Sequence, residues 1–118
     1  METNEIWENT EQRLKQLCVD PKGYLNDIGE DEEDDPISVF LSNDVLEIKR
    51  EQSYGSKGWT TSFYTFVIGI GGPHVEFDTN YHINVYWAGK KSEGATYDED
   101  VRQVIDSMDD YMRELNEQ

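Results

Sequence analysis

Val101, Val104, Ile105, Met108, Met112 and Leu115 recur at spacings of three and four, one apolar stripe at helical period. Such a stripe is stable only against another apolar surface, so the rest of the chain must supply one. Asp98 stands where a helix cap belongs, and Glu99 and Asp100 suit the positive end of the helix dipole. A second helix is expected over residues 4–18, where Ile6, Trp7, Thr10, Leu14 and Leu17 share one face. Glu5, Glu8 and Glu11 take the other face, and Pro21 with Gly23 is expected to end the helix.

The surface facing these helices has to come from the middle of the chain. Val45 to Glu51 alternates, with Leu46, Ile48 and Arg50 on one side. Ser53 to Gly58 reads as a turn or flexible loop. Thr60 to Ile70 is rich in residues suited to a pleated, half-buried surface. Val75 and Phe77 share a side in His74 to Asp78, and Ile83, Val85 and Trp87 do so in His82 to Trp87. Four short strands joined by short turns predict an antiparallel meander. Ile37 to Asn43 is a short apolar run that reads equally as a strand or as one to two helical turns. The fold class is therefore α+β, a meander of about four strands covered by an N-terminal and a C-terminal helix, in the order α(α)ββββα. The 118 residues are expected to form one domain, with an acidic loop at 29–36.

Composition narrows the function classes. Disordered acidic chains are poor in aromatics, whereas this one carries 3 Trp, 7 Tyr and 4 Phe. No apolar run approaches the roughly 20 residues of a membrane span, and the start lacks the basic and apolar segments of a signal peptide. The single cysteine, Cys18, has no internal disulfide partner, so a reducing, cytoplasmic location is expected. A net charge of −16 repels nucleic acid and anionic lipid, so neither is an expected direct partner. The charge favours a basic protein instead.

The usual catalytic and ligand motifs fail their context tests. Gly69-Ile70-Gly71-Gly72-Pro73 lacks the third glycine of a dinucleotide fingerprint and precedes a strand rather than a helix. The EF-hand pattern needs glycine at loop position six, where the acidic run offers Pro36 and a start at Asp78 offers Ile83. His74 and His82 lie eight residues apart without nearby cysteines, unlike zinc ligands. Trp59, Trp87 and the tyrosines read as packing residues, because a base-stacking platform needs adjacent positive charge. No cofactor, metal or catalytic residue is expected.

What remains is the distribution of the 26 acids. Five fall in residues 1–20, seven in 27–35 and eight in 98–118, leaving six for the whole β region. Glu30, Asp31, Glu32, Glu33, Asp34 and Asp35 form an unbroken run that Pro36 closes. On the last helix the face opposite the apolar stripe carries Glu99, Gln103, Asp106, Asp110, Arg113 and Glu117, with Asp109 and Glu114 beside it. Asp106 and Asp110 are about 6 Å apart along a helix axis. That is close to the separation of neighbouring phosphates on a DNA strand, so such a row can occupy a groove built for phosphates.

The stretch Gly71-Gly72-Pro73-His74-Val75-Glu76-Phe77-Asp78-Thr79, followed by Val85-Tyr86-Trp87-Ala88-Gly89, resembles small uncharacterised proteins of bacteriophages and mobile elements. They share a Gly-Gly-Pro, a strand ending in Asp-Thr, a strand ending near Tyr-Trp-Gly, and a C-terminal acidic helix. This chain departs in placing Ala88 between the Trp and the Gly, and in a longer Lys90-to-Gly94 loop. The resemblance covers about residues 60–115 and implies a fold and a mobile-element origin. By size and charge the chain is also similar, as a class, to anti-CRISPR and anti-restriction inhibitors, several of which imitate DNA.

The expected function is thus an acidic, stoichiometric and non-catalytic inhibitor that binds the basic nucleic-acid groove of a host defence nuclease. The competing expectation is a small interaction module (an antitoxin, immunity protein or adaptor) that binds through sheet aromatics such as Tyr54, Trp59 and Tyr64. An enzyme would require His74, His82 or Cys18 to converge in a cleft.

Overall fold

The computed structural model describes residues 2–69 and 72–116. Helix α1 spans Thr3–Val19, α2 Pro21–Asp27, α3 Pro36–Asn43 and α4 Glu99–Asn116. The strands are β1 (Glu47–Gly55), β2 (Gly58–Val67), β3 (His74–Asp78), β4 (His82–Trp87) and β5 (Lys90–Ala95). They form one antiparallel sheet in the order β1-β2-β3-β4-β5. The architecture is the α+β meander expected, with helices at both ends of the chain.

Four details correct the expectation. Lys90 to Gly94 is not a loop but the start of a fifth strand, paired with β4 from His82↔Ala95 to Trp87↔Lys90. Its polar residues suit an edge position, where one face is wet and the ladder ends. Pro21 ends α1 but also opens α2, because proline's fixed φ suits the first helical position and Asp20 caps the new helix at Gly23 N. Ser53 to Gly58 is no flexible loop, since β1 and β2 pair as far as Gly55↔Gly58 and only Ser56 and Lys57 form the turn. The apolar stripe of α4 is buried through Met108, whereas Leu115 is exposed.

The ambiguous run at 37–43 is helical. Asp35 accepts a hydrogen bond from Ile37 N at 3.3 Å, Pro36 takes the first turn, and Phe40 points into the core. Phe40 joins a file of rings, Tyr24–Phe40–Phe77–Phe66, with centroids 6.1, 6.3 and 5.0 Å apart. Leu14, Leu17, Ile83, Val101, Val104, Ile105 and Met108 complete this core on one face of the sheet. Each fully buried aliphatic or aromatic side chain contributes roughly 1.5–3 kcal/mol. The Trp7 indole N–H pins α1 to the sheet by donating to the Ile83 carbonyl at 2.7 Å.

Gly69 and Gly72, between β2 and β3, stand at positions with no room for a side chain. A side chain at Gly69 would meet the Pro73–Val75 backbone, and one at Gly72 would meet the Trp87 ring. Close approach of these neighbours accounts for glycine at both positions.

Candidate functional site

Asp98 caps α4 by accepting from Asp100 N at 2.9 Å and Val101 N at 3.2 Å. Its other oxygen meets Lys15 Nζ at 2.7 Å. The Lys15 hydrogen bond, followed by the backbone donors, holds the Asp98 carboxyl below its ordinary value, and the same contact raises the Lys15 ammonium. This join fixes the start of α4 against α1, and with it the direction of the acidic face.

Glu99, Asp106, Asp110 and Glu114 are all exposed along α4. Two of the expected acids have partners. Asp106 accepts from the Tyr81 hydroxyl at 2.7 Å, and that bond raises the Tyr81 phenol above its usual range. Asp109 is half-buried and pairs with Arg113 at 3.0 Å. Asp110 and Glu114 stand clear of both contacts. Glu117 lies outside the described residues.

Glu30 to Asp35 form the connection between α2 and α3, and all six side chains are exposed. The segment is ordered by local bonds despite its repulsion. Glu30 N donates to the Leu25 carbonyl at 2.9 Å, Glu33 N to the Asp31 carboxylate at 2.9 Å, and Asn26 Nδ2 to Glu32 at 2.6 Å. Asx-type bonds of this kind are what short acidic turns use in place of a ladder. The loop leads into α3, whose Ile37 shares a shallow depression with Gln103, Val104 and Ser107 of α4. The loop and the outer face of α4 therefore lie on the helical side of the molecule.

The residues of the other two readings are placed differently. His74 and His82 open β3 and β4, so antiparallel pairing puts them at opposite ends of the strand pair. Each faces a carboxylate of its own: His74 lies 3.1 Å from Glu76 and His82 3.7 Å from Asp78. Cys18 sits against Asp100 and Gln103 on α4, and burial, followed by the Asp100 charge, raises its thiol. The three side chains do not share a cleft. Among the described residues, no group of three or more His, Cys, Asp or Glu is arranged to hold a metal ion.

Tyr54 and Trp59 are 73% and 67% exposed and meet edge to face at 5.3 Å. Tyr64, expected beside them as a contact residue, is instead buried at 1% exposure. Tyr64 lies in the inner, core-packed part of β2, and a bulge at Ser62 sets the face it shares, since Glu51 pairs with Phe63 while Gln52 pairs with Thr61. The extra residue brings Trp59, Thr61, Tyr64 and Phe66 onto one face, and the helices cover only its inner half. The sequence offered no signal for the bulge.

No helix among the described residues is long and apolar enough to cross a membrane. Comparison with protein-family models, with curated proteins and with solved structures returns no match.

Proposed function

We propose that this protein is a stoichiometric, non-catalytic inhibitor whose acidic surface occupies the basic nucleic-acid groove of a host defence nuclease. The observation that carries the reading is the common placement of two acidic elements. The Glu30–Asp35 loop leads into α3, whose Ile37 shares a depression with α4, and the loop acids and the Glu99, Asp106, Asp110 and Glu114 row of α4 are all exposed. Local hydrogen bonds to Asp31, Glu32 and Asp35 order the loop, and the Tyr81 hydroxyl holds Asp106, so part of this charge is positioned before any partner arrives. Pairing of these carboxylates with the Lys and Arg of a phosphate-binding groove would release counterions into solution, as neutralising DNA phosphates does.

That mechanism predicts steep salt dependence. For six to ten contacts, DNA binding weakens by about 10³–10⁵ between 50 and 200 mM salt. The test is a pull-down from host lysate, eluted with duplex DNA and separately with salt. The reading expects a nucleic-acid-binding nuclease in the DNA eluate, and expects its loss with the paired variant Asp110→Lys and Glu114→Lys. Retention of the same nuclease by that variant, with helix content unchanged, would remove the α4 face from the mechanism.

Tyr54 and Trp59 support a second reading, a protein-interaction module that docks through the β1–β2 hairpin. Its complex would resist salt and fail with Trp59→Ala.

A further inference from the structure

β1 is the longer edge of the sheet. It pairs with β2 alone among the described residues, and all nine of its residues are exposed. A strand in that position offers a row of unpaired backbone donors and acceptors to another chain. The opposite edge, β5, has six residues and packs beside α1, whose Thr3 and Asn4 meet the Ser92 hydroxyl at 2.7 and 2.6 Å.

Charge selects what can approach that edge. At −16, two copies of this chain repel over most of their surface. Glu47–Val67 departs from this, with Lys49, Arg50 and Lys57 against Glu47 and Glu51. Lysines alone along an edge would turn every copy away. Here the signs alternate instead. Glu47, Lys49 and Glu51 lie on one face of β1, opposite Val67, Thr65 and Phe63 of β2.

The alternation fixes a register. In an antiparallel pair, facing residues project from the same side of the sheet, so two-fold pairing of β1 with itself sets one residue opposite its own copy. With Arg50 at that centre, Lys49 faces the second copy's Glu51, and Glu51 its Lys49. On the other face Leu46, just before the strand, meets Tyr54, and both are exposed large hydrophobics. Centring on Lys49 sets Lys49 against itself and Glu47 against Glu51. Centring on Glu51 sets acid against acid and leaves Lys49 facing Ser53. Centring on Ile48 matches Glu47 with Lys49 but pairs only Glu47 to Lys49 of the strand, because β1 begins at Glu47. The Arg50 register carries one like pair, the two arginines, against two opposite pairs and two apolar ones.

We propose that β1 pairs antiparallel with β1 of a second copy of this chain, in the register centred on Arg50, joining two five-stranded sheets into one. A single strand edge is a small interface, so the dimer forms and dissociates with concentration. The surface is independent of the inhibitor reading, since it uses none of the acids of the loop or of α4.

The experiment is sedimentation equilibrium of the full chain from micromolar to millimolar concentration. A reversible monomer–dimer equilibrium is expected. Lys49→Glu and Glu51→Lys should each weaken it about tenfold or more, because both opposite pairs become like pairs. The double variant Lys49→Glu with Glu51→Lys should restore it. Glu51→Lys is the decisive single change: it reduces the net negative charge, so general repulsion between copies would predict tighter association. Glu47→Lys changes the charge equally but stands opposite Ser53, and should not weaken the dimer. All three side chains are exposed, so circular dichroism should be unchanged in every variant. A monomer at every concentration overturns the proposal. So does a dimer that Glu51→Lys leaves intact or tightens, that the double variant fails to restore, or that Glu47→Lys weakens as much.

Discussion

The β1–β2 hairpin and the β3–β4 pair are built from the same antiparallel ladder, yet they behave as opposites. Every residue of β1 is exposed, whereas β3 and β4 bury Val75, Phe77, Ile83 and Val85 in strict alternation. The core buries one face of the β3–β4 pair, but in the hairpin it reaches only the inner part of β2. Charge follows the same division. Glu47–Val67 holds three bases against two acids, and the remainder of the chain holds seven against twenty-four. Glu47, Lys49 and Glu51 alternate in sign along one face of β1, which keeps like charges from neighbouring each other there. On helix surfaces and loops, water separates the acids, so repulsion costs less. The lesson is that this fold confines its excess charge to elements whose outer faces need no partner.

The comparison can be broken most directly in the core. Phe77→Ala should destabilise the protein by about 3–5 kcal/mol, because Phe77 is fully buried and stacked on Phe66. Ile48→Ala, on the exposed strand, should cost well under that, and equal losses in chemical denaturation would mean the hairpin is covered after all. Capping at the head of α4 gives an intermediate effect with a pH signature. The folded-state pKa of Asp98 is depressed, so its stabilisation is present above the unfolded value near 3.8 and fades as pH falls through the folded one. The gap in denaturation midpoint between wild type and Asp98→Asn should therefore be full at pH 7 and close in strong acid. The smallest effect belongs to the hairpin tip. Trp59→Ala should shift stability by no more than about 0.5 kcal/mol, since its side chain is solvated. Amide exchange sharpens the same contrast: Ser53 to Thr60 should exchange through local opening, while Ile83 and Val85 wait for global unfolding.

Periodicity made the long elements legible. The faces of α1 and α4 and the alternation in β3 and β4 could be read because each buries one side only, which writes the period into the residues. Short or edge elements carried no such record. β5 is Lys-Lys-Ser-Glu-Gly-Ala, residues of poor strand propensity that pair because β4 offers an open edge. α2 holds a glycine and begins at a proline, so its sequence resembled a break. The acidic loop and helix face were visible as charge, but their common side depends on α3 packing against α4. That Trp59 and Thr61 share a face with Tyr64 was invisible, because the Ser62 bulge sets that face.

The bond from the Trp7 indole to the Ile83 carbonyl spans 76 residues of sequence. Helix α1 thus rests on a strand, and packs beside a helix, that are both made well after it. During synthesis on the ribosome, α1 emerges with its apolar face bare and nothing yet to lie against. α1 cannot complete its packing as it is made, and must be carried unpacked until β4, β5 and α4 have followed it.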